Sequence, residues 1–206
     1  AAMAGFADVP GTRIIVFYPK DGVSRVQELQ MVTQKGDNTS VVAIHGNFDD
    51  AQTGVKKIFA DKEFGAELAD HGFQFSSANS INIGRLVPQV VYYVYAYASL
   101  LANEEIKDGE EINVTVPTGN FGNILAAYFA KQLGVPIKKL ICASNDNKVL
   151  YDFFQTGTYD RQREFILTTS PSMDILISSN LERLLYLSTG CDAEQTAKLM
   201  NQLGTE

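Results

Sequence analysis

The fold is decided by the stretch Ile112-Asn-Val-Thr-Val116, continued by Pro117-Thr-Gly-Asn-Phe-Gly-Asn123. The first segment is apolar and rich in β-branched residues, which predicts a short strand. A helix is predicted from about 121 to 133, and Gly134 and Pro136 end it as a C′ glycine and a following proline do. A strand that leads through a glycine-containing turn into a helix is the start of a βαβ unit.

The same order of strand and helix recurs along the rest of the chain. Apolar runs at Arg13-Ile-Ile-Val-Phe-Tyr18, Val41-Val-Ala-Ile44 and Leu140-Ile-Cys-Ala143 predict further strands. Helices are predicted over 24–34 and 51–60, each after one of these strands. Short apolar strands that alternate with helices are typical of parallel sheets covered on both faces. The sequence therefore predicts the α/β class.

Composition limits the kinds of partner that the protein can have. The 206 residues carry 17 basic and 24 acidic side chains, a net charge of -7, which argues against a nucleic-acid groove or a polybasic membrane anchor. The apolar stretch Leu86 to Leu101 contains Pro88 and four tyrosines, so it is too polar and too short to span a membrane. Cys142 and Cys191 lack metal-ligand spacing and indicate reduced thiols in the cytoplasm, with no metal site. His45 ends a predicted strand and is most simply explained as structural.

The turn at 117–123 is the first segment that can carry chemistry. Gly119 and Gly122 allow the backbone to approach a ligand closely, and the amides of a helix start attract anions. Asn120 and Asn123 could add side-chain donors. The turn lacks the Gly-Lys-Ser/Thr ending of a P-loop and the GxGxxG spacing of a dinucleotide turn. A tight connection in which the glycines serve only geometry explains the spacing equally well.

The second such segment is Ser76-Ser-Ala-Asn-Ser-Ile-Asn-Ile-Gly-Arg85, which leads into a helix predicted over 86–101. Asn79 or Ser80 could be the N-cap of that helix, and Arg85 would lie one turn in. Capped amides on one side and a guanidinium on the other can receive an anion. The simpler alternative is a solvated helix start whose arginine pairs with a surface carboxylate.

Together these segments resemble the threonine synthase family, which are pyridoxal phosphate (PLP) enzymes with a tryptophan synthase β-like fold. The likeness covers essentially the whole chain. It rests on five stretches in the family's order: Phe17-Tyr-Pro-Lys-Asp-Gly-Val-Ser24 with Gln27-Glu-Leu-Gln-Met31, His45-Gly-Asn-Phe-Asp-Asp-Ala-Gln52, Asn79-Ser-Ile-Asn-Ile-Gly-Arg85, 117–123, and Pro171-Ser-Met-Asp-Ile175 with Ser179-Asn-Leu-Glu-Arg183.

The resemblance implies an activity, a cofactor and two phosphate sites. The family converts O-phosphohomoserine and water to threonine and phosphate by β,γ-replacement on PLP. The residues implied to hold the cofactor phosphate are Gly119, Asn120, Phe121, Gly122 and Asn123. The residues implied to line the substrate phosphate site are Asn79, Ser80 and Arg85. With a boundary near residue 75, the resemblance assigns 1–75 to the small amino-terminal domain and 76–206 to the large PLP-binding domain.

The chain also departs from the family's pattern. None of its eleven lysines matches the family's Schiff-base lysine, which precedes the stretches found here in the family's order, together with a Ser-Gly-Asp-Thr-Gly loop. The group that faces the pyridine nitrogen follows them. We therefore expect an internal fragment, incomplete at both ends and inactive alone, because PLP chemistry needs that amine. Apolar surface left exposed in such a fragment favours homo-oligomers.

Two other functions remain open at this point. One is a sister PLP enzyme of the same fold, such as a cysteine synthase, a cystathionine β-synthase or a threonine dehydratase. Its substrates do not require a second phosphate clamp of the Arg85 type. The other is a non-catalytic protein that has kept the fold and binds phosphate esters or an assembly partner.

Overall fold

A computed structural model describes residues 2–170 and 173–204 of the chain. The stretch from Pro171 to Ile175, singled out in the sequence, therefore lies partly outside the described residues. The chain divides into two compact units, Ala1–Ser76 and Ser77–Glu206. Each unit has its own pair of parallel strands.

The first unit is built on a two-stranded parallel sheet in which Ile14 lies opposite Thr39 and Pro19 opposite Ile44. Its elements are α1 (Ala2–Phe6), β1 (Ile14–Pro19), α2 (Arg25–Val32), β2 (Thr39–Ile44), α3 (Phe48–Ala60) and α4 (Lys62–Asp70). His45 follows β2 directly and is exposed.

Helix α3 begins three residues before the predicted start at 51 because a capping box forms upstream of it. The Asp50 N–H donates to Asn47 Oδ1 over 2.9 Å, and the Asn47 N–H donates to Asp50 Oδ2 over 2.8 Å. These reciprocal bonds satisfy backbone donors that the helix start leaves open.

The second unit is built on β3 and β4, which are parallel, with Val116 opposite Cys142. The register slips by one residue after Ile112, which faces Ile137. The elements of this unit are α5 (Ile83–Leu86), α6 (Val90–Ala102), β3 (Ile112–Pro117), α7 (Gly122–Gln132), β4 (Ile137–Ala143), α8 (Val149–Thr156), α9 (Leu181–Ser188) and α10 (Ala193–Gly204). All four predicted strands are present, and the predicted α/β class with parallel sheets is confirmed.

The core of the second unit surrounds α7. Leu125 and Ala126 on this helix are fully buried, and Leu86 from α5 and Val149 from α8 pack into the same cluster. Small residues on α7 bring its backbone close to β3 and β4, which it joins. This packing fixes the position of the turn that precedes α7.

The helix predicted over 86–101 is wrong in one respect, because the chain forms two helices separated by a 3₁₀ turn at Val87–Gln89. Pro88 lacks an N–H and cannot continue the α-helical hydrogen bonds. The N-cap expected at Asn79 or Ser80 is instead Asn82, whose Oδ1 accepts from the Gly84 N–H over 2.9 Å.

Among the described residues, no helix is long and apolar enough to cross a membrane. Within the same ranges, no group of three or more histidine, cysteine, aspartate or glutamate side chains is arranged to hold a metal ion.

Candidate anion-binding site

The turn between β3 and α7 presents a continuous row of free backbone donors. The Thr118 N–H makes the last backbone hydrogen bond from the β3 side to β4, and it donates to the Ala143 carbonyl over 2.8 Å. The next bonded amide is that of Leu125, which donates to the Phe121 carbonyl over 3.2 Å. Within the described ranges, the N–H groups of 119–124 have no acceptor. A row of this kind at the positive end of a helix is suited to binding an anion.

The turn is buried and its backbone is strained, so its open amides are energetically unfavourable without a ligand. Gly119, Phe121 and Gly122 are all buried, and a buried N–H without an acceptor costs free energy. Phe121 has a φ of 62°, in the left-handed region, which costs a residue with a Cβ about 1–2 kcal/mol. Strain at an observed outlier is commonly tied to function. An external acceptor would satisfy the donors that this conformation exposes.

The two glycines of the turn are needed because other parts of the chain approach them closely. A Cβ on Gly119 would lie 3.0 Å from Ile175 Cγ1 and 3.3 Å from the Met173 carbonyl oxygen. A Cβ on Gly122 would lie 3.3 Å from Ser80 Cβ. The geometric explanation of the glycines is thus correct for these contacts, but it supplies no acceptor for the open amides.

The side chain of Asn123 is engaged within the protein. Its Oδ1 accepts from the Tyr93 hydroxyl over 2.6 Å, and its Nδ2 donates to Gln89 Oε1 over 2.9 Å. A tyrosine phenol is protonated at neutral pH, and burial raises the pKa of Tyr93 further. Asn123 therefore joins α7 to α6 with its side chain and has only its backbone N–H open toward the turn.

Asn120 is held by its carbonyl oxygen. That oxygen accepts from both the backbone N–H of Asn180, at 3.2 Å, and the Nδ2 of Asn180, at 2.9 Å. Asn120 Oδ1 accepts from Ser179 Oγ at 3.3 Å. In the described chain, Asn120 Nδ2 has no acceptor, so it is the side-chain donor that the turn can offer.

The segment before α9 supports the turn through hydrogen bonds to its carbonyls. Ser178 Oγ donates to the Gly119 carbonyl. Asn180, which is 0% exposed, donates to the Asn120 carbonyl. Sequence reasoning quoted Ser179 to Arg183 without giving it a role. The fully buried Asn180 was not foreseeable, because polar residues of this type are usually exposed.

The three residues predicted for a second phosphate lie in different surroundings. Ser80 is half-buried, and its Cβ lies 3.3 Å from the position that a Cβ on Gly122 would take. Asn79 is exposed, and its Oδ1 accepts from the Ile81 N–H over 3.0 Å. Arg85 is exposed on α5, which packs against α7. Across the described ranges no carboxylate pairs with Arg85, so the surface ion pair considered from the sequence is not found.

Arg183 belongs to a stretch quoted from the sequence, but sequence reasoning gave this residue no role. Its guanidinium donates to the Ser80 carbonyl over 2.8 Å, to the Ile81 carbonyl over 2.6 Å, and to Asn180 Oδ1. An arginine in the first turn of the apolar helix α9 is the signal that could have drawn attention to it.

Cys142 lies on β4 near the turn but is not activated. Burial raises the pKa of its thiol, and a hydrogen bond with Thr118 offsets this in part. A raised pKa lowers the thiolate fraction and hence the reactivity. Cys191 is exposed and is the more accessible thiol.

A buried carboxylate holds the loop that follows α8. Asp174, 2% exposed, accepts from Asn145 Nδ2 at 2.7 Å, from Thr168 Oγ1 at 2.7 Å and from the Thr168 N–H at 2.8 Å. Asn147 Nδ2 adds a longer bond of 3.2 Å. These donors satisfy the carboxylate, so the cluster is structural.

Comparison with known proteins gave strong matches over nearly the whole chain. Threonine synthase-like 1 of Macaca fascicularis is 48% identical over 195 residues, which is 94% of this chain and 26% of that protein. Threonine synthase of Saccharomyces cerevisiae is 40% identical over 198 residues, which is 93% of this chain and 37% of that protein. The crystal structure of PLP-bound threonine synthase from Brucella melitensis superposes with a TM-score of 0.82 and 44% identity, over 100% of this chain and 42% of that chain. No family model matches the chain.

The chain is thus an α/β protein with parallel strands and with a helix start whose backbone amides are open. The sequence and structure matches then show that the chain belongs to the threonine synthase family. It spans about a quarter of the length of the macaque relative and about two fifths of the Brucella chain.

Proposed function

We propose that this chain forms the phosphate-binding part of a PLP-dependent threonine synthase, which converts O-phosphohomoserine and water to threonine and phosphate. The observation that carries the proposal is the row of unpaired backbone amides at 119–124. In this proposal 1–75 belongs to the small domain and 76–206 to the large PLP-binding domain. The solved relative in the comparison is itself PLP-bound.

The turn fits the phosphate of PLP in its chemistry. The backbone N–H groups of Gly119, Asn120, Phe121, Gly122 and Asn123 would hold the phosphate, with Asn120 Nδ2 as an added donor. When bound, PLP supplies an electron sink for carbanion chemistry. This chain's residues bind and orient the phosphate. No lysine of this chain is proposed to bond to the cofactor.

The substrate phosphate is assigned to Asn79, Ser80 and Arg85. Ser80 supports the assignment because its Cβ lies 3.3 Å from the position that a Cβ on Gly122 would take, which would place the two phosphates close together. Arg85 supports it because its cation has no carboxylate partner among the described residues and is open to a phosphate dianion. A second phosphate site distinguishes this function from those of the sister PLP enzymes.

A second candidate function is a non-catalytic binder of phosphate esters. The relatives that match at 48% identity carry the name threonine synthase-like 1 rather than threonine synthase. Such a protein would use the same two sites without turnover.

The test of activity uses the full product of the open reading frame that encodes this chain. With PLP and O-phosphohomoserine, it should release inorganic phosphate and form threonine in equal amounts. Asn120→Asp places a carboxylate beside the cofactor phosphate and should reduce PLP affinity strongly. Asp146→Asn should not, since Asp146 is exposed and forms no ion pair within the described ranges.

The other outcomes point to the alternatives. Binding of both phosphates without phosphate release would favour the non-catalytic protein. Turnover of threonine or O-acetylserine instead of O-phosphohomoserine would favour a sister enzyme.

A separate titration tests the cofactor site in the 206-residue chain itself. PLP should bind weakly, as followed by absorbance, and inorganic phosphate should displace it. Borohydride reduction followed by peptide mapping should find no single labelled lysine. A specific labelled lysine would contradict the expectation that the reacting amine is not among the lysines of this chain.

A further inference from the structure

Arg183 and Asn180 link the two proposed phosphate sites through hydrogen bonds. The guanidinium holds the carbonyls of Ser80 and Ile81, at 2.8 and 2.6 Å. The same guanidinium bonds Asn180 Oδ1, and Asn180 in turn donates twice to the Asn120 carbonyl. We call these two side chains and their bonds the Arg183 bridge.

The bridge joins segments that are far apart in sequence. Arg183 lies 103 residues from Ser80, and Asn180 lies 60 residues from Asn120. The fully buried Asn180 uses its backbone N–H, its Nδ2 and its Oδ1 in the bridge. Its side chain therefore has little freedom to adopt another arrangement. Movement of the 80–81 segment is therefore transmitted to the backbone of the cofactor turn.

The acceptors of Arg183 are all neutral. Its bonds go to two backbone carbonyls and one amide oxygen, and no ion pair involving Arg183 occurs in the part of the chain that the structure describes. A guanidinium fork can hold several acceptors at fixed angles, whereas an ammonium group cannot. The role of Arg183 thus depends on the shape of the group as well as on its charge.

We propose that Arg183 is a positioning residue that couples the two phosphate sites, so that occupation of one raises the affinity of the other. This inference rests on the proposed function for the identity of the two ligands. A phosphate on the amides of 119–124 orders the Asn120 backbone, the bridge orders the 80–81 segment, and the second phosphate then binds at a smaller cost in conformational entropy. Coupling between binding sites is reciprocal.

The test measures coupling in the full product of the open reading frame. The Kd of PLP is determined by absorbance with and without saturating 4-phosphonooxybutanoate, the deamino analogue of O-phosphohomoserine, which cannot react with the cofactor. In the wild-type protein the analogue should tighten PLP binding by about 10-fold, within the usual range of coupling. In Arg183→Lys the ratio should fall to within about 2-fold of unity, while the Kd of PLP alone changes by less than about 3-fold.

Arg163→Lys is the matched control. Arg163 is also partly buried in the second unit, where it pairs with Asp152 at 2.7 Å and with Asp160 at 3.7 Å, and it makes no bond to the bridge. This variant should keep the wild-type coupling. Equal loss of coupling in both variants would attribute the effect to general destabilisation and overturn the proposal.

Hydrogen exchange gives a second readout that needs no variant. PLP alone should slow amide exchange in the peptide that covers 77–86, with 149–156 as the reference peptide. Unchanged exchange in 77–86, or wild-type coupling in Arg183→Lys, would overturn the proposal.

The two proposals fail in different ways. If the wild-type protein shows coupling but no release of phosphate from O-phosphohomoserine, the proposed activity is wrong, whereas the proposed coupling through Arg183 is supported. If it releases phosphate and shows no coupling, the proposed activity is supported and the proposed coupling through Arg183 is wrong.

Discussion

Phe121 is the residue directly before helix α7, and its φ of 62° is in the left-handed region. Its ring is buried and lies 6.1 Å from the ring of Phe154, centroid to centroid. The amides of 122–124 are those that the first turn of a helix leaves open. The turn at 119–121 adds further open amides, and the strained Phe121 joins the two groups into the donor row on which the proposed cofactor site depends.

Gly119→Ala is predicted to destabilise the protein and weaken PLP binding. The new Cβ would lie 3.0 Å from Ile175 Cγ1 and 3.3 Å from the Met173 carbonyl. Overpacking of this kind costs about 1–3 kcal/mol in the free energy of unfolding, to be measured by urea denaturation.

Gly54→Ala is the control for this substitution. Gly54 lies inside α3, and apart from its chain neighbours and the backbone of its own helix no described atom comes within 4 Å of the position that a Cβ would take there. Alanine should therefore stabilise the chain by about 0.5–1 kcal/mol. Equal effects of the two substitutions would show that the contact at Gly119 is unimportant.

Helix α8 is tied to the loop that follows it by a charge pair. Arg163 Nη1 lies 2.7 Å from Asp152 Oδ2, and Lys148 lies 3.4 Å from Asp152 Oδ1. The hydrogen bond from Arg163 is the main reason that the pKa of Asp152 is below its ordinary value of about 3.8. This loop leads toward Asp174 and the segment that supports the turn.

Asp152→Asn is predicted to lower stability in a pH-dependent way. The pKa of Asp152 is lower in the folded than in the unfolded protein. The charge pair therefore stabilises the folded protein fully at a pH above the unfolded-state pKa. This stabilisation is lost as the pH falls through the folded-state pKa. The difference in urea midpoint from wild type should thus be constant near neutral pH and shrink below about pH 4. Asp146→Asn removes an exposed carboxylate without an ion pair in the described ranges and should leave the urea midpoint at neutral pH unchanged. For Asp152→Asn, a difference from wild type that is independent of pH would contradict the role of the charge.

On the scale of the whole molecule, the chain carries more apolar surface than its paired strands can cover. Among the described residues, each unit has only two paired strands, and sheets of that size depend on packing by helices. Helix α6 illustrates the result, since Val91 and Tyr95 lie one turn apart and are 62% and 73% exposed. Exposed apolar faces of this kind mark interaction surfaces or promote association.

The isolated 206-residue chain is predicted to self-associate through this face of α6. Val91→Gln combined with Tyr95→Gln should lower the weight-average mass seen by sedimentation equilibrium at a given concentration. Leu133→Gln, which removes a 75% exposed leucine at the end of α7, should have no such effect. A wild-type chain that stays monomeric at every concentration would contradict the prediction.

Local patterns in the sequence were sufficient for the α/β class, the parallel strands and the turn at 117–123. Apolar β-branched runs, capping residues and helix-ending glycines act over a few residues, so their effects can be predicted without knowing the tertiary structure. The break at Pro88 also has a local cause, although the prediction of one helix over 86–101 overlooked it. The resemblance to the family rested on the order of such local stretches, and the comparisons support it.

The tertiary structure alone decided which distant residues complete the site. Asn180 and Arg183 reach Asn120 and Ser80 across 60 and 103 residues, and no periodic pattern encodes a pairing at that separation. The turn that the sequence predicted could have been a connection without a ligand. Its meaning came from the unpaired amides of 119–124, because hydrogen-bond satisfaction is a property of the folded chain and not of any segment within it.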